Sequence, residues 1–147
     1  MRYFTITALV ILLIYLSYID LKENKIPNKI IVPAYIVAVF YNIYLFFFVD
    51  RSTVYNNFLG FFFSFGIMFL ISFISKGGLG GGDIKLFGLL GLTLGLQSVF
   101  KVILFSTISG ALISIFLVLF RIKNFKDSIP FGPFIALGFV LSLLIKL

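Results

Sequence analysis

The chain contains no cysteine, no histidine and no tryptophan, and only five acidic residues among 147. Without cysteine there is no disulfide and no thiolate to bind a metal or attack a carbonyl; without histidine there is no imidazole ligand or base. Hydrolysis by a histidine-assisted triad or a histidine-bound zinc is therefore excluded. Acid–base chemistry falls to carboxylates, which means Asp20, Glu23, Asp50, Asp83 and Asp127. Charge of either sign is scarce, at 12% of residues against 61% hydrophobic. A water-soluble domain of this length would have too few charges to cover so much apolar surface, so lipid is the solvent for most side chains.

Six apolar stretches follow one another, at 3–19, 30–49, 58–75, 84–100, 102–120 and 129–145. Each approaches the roughly 20 residues that cross a hydrocarbon core, and backbone groups in lipid are satisfied within a segment only by a helix. The expected fold is all-α: one polytopic membrane domain over 1–147 with six transmembrane helices. The fourth stretch carries Gly88, Gly91 and Gly95, and its break from the fifth rests on Gln97, Ser98 and Lys101; a re-entrant or interfacial element is the alternative there. Lys22, Lys25 and Lys29 follow the first stretch, Lys76 and Lys85 flank the start of the fourth, and Arg121, Lys123 and Lys126 follow the fifth. The other side receives Arg2, Arg51, Lys101 and Lys146, so the positive-inside rule predicts both termini outside. Arg2 ahead of a hydrophobic run imitates a secretory signal, but no small-x-small cleavage site precedes Asp20, and an uncleaved helix is expected. The net charge of +7 sits in short clusters between apolar stretches, which fits anionic lipid headgroups and not nucleic acid.

Small residues recur at helical spacing. Gly88, Gly91 and Gly95 form a stripe on the fourth stretch, with weaker versions at Gly60, Ser64 and Gly66 on the third and at Ser106, Ser109 and Gly110 on the fifth. Such stripes predict helices packing at close range.

Two aspartates stand apart from ordinary loop charges. Asp20 ends the first stretch, where a negative charge beside a helix C-terminus is mildly unfavourable. It precedes Ile26-Pro27-Asn28, in which Pro27 restrains the chain and Asn28 is placed to cap the next helix. Asp83 ends the run Gly77-Gly78-Leu79-Gly80-Gly81-Gly82 and is followed by Ile84-Lys85. Its simplest role is as N-cap of the fourth helix, yet a cap needs no glycine run, and glycines permit close backbone approach to the carboxylate. No strand precedes the glycines and no Gly-Lys-Ser/Thr follows, which excludes a dinucleotide or P-loop site. The charge pattern gives Asp20 and Asp83 the same membrane side. Two carboxylates brought together share a proton, so one activates water while the other protonates or polarises a peptide carbonyl. Glu23 and Asp127 lie among loop lysines, and Asp50 falls on the opposite side. Pro130-Phe131-Gly132-Pro133-Phe134 opens the sixth stretch with an irregular entry and two phenylalanines suited to a greasy substrate wall.

These residues resemble the type 4 prepilin peptidases, intramembrane aspartyl proteases of the GxGD class. The family pattern of serine, two positions, aspartate, five positions and Ile-Pro-Asn is met by Ser17, Asp20 and Ile26-Pro27-Asn28. Gly80-Gly81-Gly82-Asp83 matches Gly-x-Gly-Asp, with the customary lysine at Lys85, and residues 130–134 look like the bacterial branch. The resemblance implies a catalytic pair Asp20 and Asp83, supported by Gly80, Gly82, Lys85, Pro27, Asn28, Pro130, Gly132 and Pro133. It implies metal-free removal of the basic leader from a prepilin or pseudopilin, after glycine, at the cytoplasmic face of the cell membrane, in a pilus, competence or secretion system. The chain lacks the amino-terminal cysteine-containing part of larger members, so the methyl transfer some of them perform with S-adenosylmethionine is not expected. The alternative is a non-catalytic component of a pilus or secretion assembly, in which glycines serve packing and aspartates serve as caps. A transporter would call for an internal duplication or a mid-membrane ionisable group, and the sequence shows neither.

Overall fold

A computed structural model describes residues 2–75, 78–120 and 129–144. Lys76, Gly77, Arg121, Lys123, Lys126, Asp127 and Lys146, all singled out above, lie outside the described residues. Six α-helices are present among those described: α1 (Arg2–Glu23), α2 (Asn28–Phe48), α3 (Arg51–Ile74), α4 (Gly81–Leu94), α5 (Leu96–Leu119) and α6 (Gly132–Leu144).

Local chemistry fixes where they start and stop. Asn24 closes α1 in the left-handed region (φ 50°), its N–H donating to the Asp20 carbonyl at 2.8 Å; asparagine tolerates that conformation better than other side chains. Pro27, extended at φ −73° and ψ 130°, precedes α2. Asp50 caps α3, its carboxylate accepting from the backbone N–H of Ser52 and Thr53. Gly95, at φ 80°, separates α4 from α5. Only glycine enters that region without a steric penalty, so the break falls at Gly95 and not at 97–101. Lys101 consequently lies inside α5 and not in a loop.

Among the described residues, four helices are long and apolar enough to cross a membrane: Phe4–Glu23, Asn28–Phe48, Arg51–Ile74 and Leu96–Leu117. This corrects the expectation of six transmembrane helices and the topology counted from it. The 14 residues of α4 rise about 21 Å and the 13 of α6 about 20 Å, short of a hydrocarbon core of about 30 Å. The apolar residues of α4 serve another purpose: Ile84 and every residue from Leu86 to Leu92 are buried in protein. Apolar runs of that length read alike whether lipid or protein surrounds them.

The chain packs as two compact units, one of residues 1–26 with 101–147 and one of residues 27–100. In the second, α4 lies against α3 and α2. A Cβ added to Gly60 would meet the Gly91 carbonyl oxygen at 2.6 Å and the Gly95 carbonyl carbon at 2.7 Å. Ser64 Oγ, just along α3, donates to the Phe87 carbonyl at 2.9 Å. The expected stripes on the third and fourth stretches thus face each other, except that Gly66 has nothing within 4 Å. At the far end of α4, Asn42 Nδ2 donates to the Leu92 carbonyl at 2.9 Å, and Asn57 Nδ2 donates to Asn42 Oδ1 at 2.9 Å. Leu92 belongs to the last turn of α4, whose carbonyls have no partner within their own helix, so Asn42 closes that end from a neighbouring helix. In the first unit α1 packs on α6. A Cβ on Gly138 would meet Ser106 N at 2.6 Å, and one on Gly110 would meet the Phe131 ring at 2.8 Å, so the small residues of α5 also admit close contact.

Candidate active site

Asp20 and Asp83 are the buried charged side chains among the described residues, 4% and 8% exposed. Burying a carboxylate is costly unless it is hydrogen-bonded or has a chemical use. The two belong to different units, and each has a local explanation.

In the first unit Asp20 occupies the last turn of α1, the wrong end of a helix for a negative charge. It is compensated from α6. The Gly132 N–H, at the start of that helix, donates to Asp20 Oδ2 at 2.7 Å. A Cβ on Gly132 would stand 2.9 Å from Oδ2 and 3.1 Å from Asp20 Cβ. The segment expected to form a substrate wall therefore touches an aspartate directly. Pro130 lies two residues before this glycine and Pro133 immediately after it, both half-buried. Proline at the second position of α6 forfeits no helical hydrogen bond, because N–H groups in the first turn have no partner there. Ser17, a member of the same motif, donates its hydroxyl to the Leu13 carbonyl at 2.7 Å.

In the second unit Asp83 is the third residue of α4, and the N-cap is Gly80, so the aspartate does not take the cap role that was its simplest alternative. The Gly80 carbonyl accepts from the N–H of Asp83 at 3.0 Å. A Cβ on Gly80 would stand 3.0 Å from Asp83 Oδ2, so the first glycine of the Gly-x-Gly-Asp run leaves room for the carboxylate; Gly81 faces open space, and Gly82 is the second residue of the helix. The start of α4 is tied to the start of α2. Lys85 Nζ donates to Asn28 Oδ1 at 3.0 Å, and the Tyr35 hydroxyl donates to the Lys85 carbonyl at 2.8 Å. Asn28 thus spends its side chain on Lys85 and does not cap α2, whose N-cap is Pro27 without a side-chain bond. Two motifs, Pro27-Asn28 and Gly80 to Lys85, linked by a bond between residues 57 positions apart, are in this way assembled at one end of the unit.

The other two described acids, Asp50 and Glu23, are not buried. Asp50 Oδ1 accepts from Ser52 N–H at 3.0 Å and Oδ2 from Thr53 N–H at 3.1 Å. These bonds, with one from the Thr53 hydroxyl, hold its carboxyl below the usual carboxylate range. That is the state of a helix cap and not of a group poised to exchange protons. Glu23 is exposed. An apolar cleft of about 240 Å³, lined by Val39, Ile43, Phe47 and Phe58 with Asn42 its polar member, opens at the Leu92 end of α4, away from Asp83. Tyr35, Asn42 and Asn57 were not singled out from the sequence. The signal was there as polar side chains within strongly apolar runs, which must find partners inside the protein.

A set of apolar helices in which the buried charged side chains, among the described residues, are two aspartates, each with a glycine against its carboxylate, defines a multi-helix membrane protein. The chain belongs to the Type IV leader peptidase family, whose model matches residues 7–115. That span contains Asp20 and Asp83 and ends before Gly132. Among curated proteins it is similar to the prepilin leader peptidase/N-methyltransferase of Aeromonas hydrophila, 30% identical over 143 residues covering 95% of this chain and 49% of that protein. The protein of the same name from Bacillus subtilis (strain 168) is 31% identical over 144 residues, 96% of this chain and 55% of that one. The chain spans about half the length of the curated relatives it matches. No solved structure matches.

Proposed function

We propose that this chain is an aspartic endopeptidase that removes the basic leader from prepilin-like proteins, cutting after glycine at the cytoplasmic face of the membrane, with Asp20 and Asp83 as the catalytic pair. The observation that carries the reading is the burial of these two carboxylates, and no others among the described residues, in a member of the leader peptidase family. Acting as a pair, one carboxylate takes a proton from water as it attacks the scissile carbonyl. The other holds the carbonyl oxygen by its proton and passes that proton on toward the leaving amine. Lys22, Lys25 and Lys29 cluster around the junction after Asp20, which favours the cytoplasmic side for it.

A prepilin-like substrate suits such a site. Its apolar helix stays in the bilayer while its basic leader lies at the surface, which brings the scissile bond to the membrane boundary. A helical peptide bond is poorly open to attack, and glycine before the bond lowers the cost of unwinding it.

The test is incubation of purified protein in liposomes with a leader peptide that retains its hydrophobic segment, the products being read by mass spectrometry. A leader fragment ending in glycine is expected from the wild type. Asp20→Asn and Asp83→Asn should each lower the rate by about a thousandfold or more with membrane insertion intact. Asparagine keeps an acceptor for the Gly132 N–H but loses the exchangeable proton. Cleavage at the wild-type rate by either variant would exclude the pair.

A further inference from the structure

The Pro-Phe-Gly-Pro-Phe segment falls outside the part of the chain that the family model matches, yet its glycine N–H bonds directly to a buried carboxylate. We propose that Gly132 is the positioning residue for Asp20: its N–H fixes the orientation of the carboxylate, and its missing side chain supplies the space the carboxylate occupies. This rests on the reading of Asp20 as catalytic.

Three observations bear on it. The bond from Gly132 N–H to Oδ2 is 2.7 Å long and buried, linking residues 112 positions apart. The N–H belongs to the first turn of α6, where donors have no partner in their own helix, so Asp20 completes α6 as α6 holds Asp20. A Cβ at 132 would lie 2.9 Å from Oδ2, 3.1 Å from Cβ and 3.3 Å from Cγ of Asp20. Any other residue would push the carboxylate off its present position. The neighbouring prolines limit the freedom of the segment to retreat, since each fixes its own φ. An aspartate at a helix C-terminus, facing an unfavourable dipole, needs such a hold to stay in one place.

The experiment uses the full chain in liposomes with the same leader peptide, comparing wild type, Asp20→Asn, Gly132→Ala and Gly66→Ala. The last adds a methyl group where nothing lies within 4 Å and is expected to leave the rate unchanged. Displacing a reacting group by part of an ångström predicts that Gly132→Ala lowers kcat about 10- to 100-fold with KM within about twofold of wild type. The pH–rate profile should also move. Partial misfolding alone would scale the rate without moving the profile, because the surviving molecules would be wild-type-like. A second measurement is independent of activity. In an Asp20→Ala background the contacts to Oδ2 and Cγ are gone, so the fall in Tm caused by Gly132→Ala should shrink. Wild-type kcat and pH profile in Gly132→Ala, or an equal Tm penalty in both backgrounds, would overturn the positioning role while leaving the peptidase reading intact. Cleavage at the wild-type rate by Asp20→Asn would instead exclude Asp20 from the catalytic pair, and no cleavage by the wild type would sink the peptidase reading.

Discussion

Single side chains in this protein are held by partners far away in sequence, and the start of α4 is the clearest case. Lys85 reaches Asn28 through its ammonium group and receives the Tyr35 hydroxyl on its carbonyl. Lys85 itself is exposed, so the ammonium–amide bond is partly matched by water. Lys85→Met and Asn28→Ala should each cost about 1 kcal/mol or less, and the double variant should cost less than their sum because both remove the same bond. Tyr35→Phe removes a bond from a hydroxyl packed against Gly88 and should cost about 1 kcal/mol in addition to either, as it uses a different acceptor. Unfolding in detergent micelles, followed by circular dichroism, measures all of these. The sequence marked Asn28 and Lys85 by motif but not the bond between them. Asparagine at the start of a helix reads as a cap, and only the fold reveals the cation that claims it. The cap role that was the simplest alternative for Asp83 fails for a similar reason: a carboxylate near a helix start fits either the N-cap or the first turn, and Gly80 takes the N-cap by its extended backbone.

At the scale of helices the small-residue stripes were legible, because close approach of helix backbones in a membrane protein requires their spacing. The pairing was not legible. The sequence could not show that Gly60 meets Gly91, nor that Gly66, the last member of the same stripe, faces open space. This distinction makes a sharp prediction. Gly60→Ala forces a methyl group to within 2.6 Å of the Gly91 carbonyl oxygen and 2.9 Å of Leu96 N. Both are backbone atoms that cannot turn aside, so α3 and α4 must separate, at a cost of about 1–3 kcal/mol. Gly66→Ala replaces a helix-interior glycine without a clash and should stabilise α3 by up to about 1 kcal/mol. A fall in Tm for the first substitution with no fall for the second checks the pairing; equal effects would place the contact elsewhere.

The helical class and the membrane environment were legible in composition alone, since 61% hydrophobic residues leave water no role as the main solvent. The number of membrane-spanning helices was not. Length and apolarity count residues that avoid water, and a helix sheltered by protein avoids it as well as one bathed in lipid. Leu86, Phe87 and Leu90 on α4 have no exposed surface, whereas Phe62 and Phe73 on α3 are 68% and 76% exposed. The absence of cysteine makes this difference measurable, because single cysteines can be introduced into a chain with no competing thiol. Leu90→Cys and Leu86→Cys should resist a membrane-soluble maleimide in liposomes, while Phe62→Cys and Phe73→Cys should react with lipid-partitioned reagent. After denaturation in SDS all four should label alike. Leu90→Cys creates a cavity and should be checked for retained Tm, since a buried leucine shortened to this extent costs about 2–5 kcal/mol. Leu86→Cys supplies a second reading of the same helix. Rapid labelling of both positions in variants that keep a cooperative transition would mean that α4 faces lipid and spans the bilayer with its neighbours; slow labelling at 86 and 90 beside fast labelling at 62 and 73 is the pattern of a short helix walled in by α2 and α3.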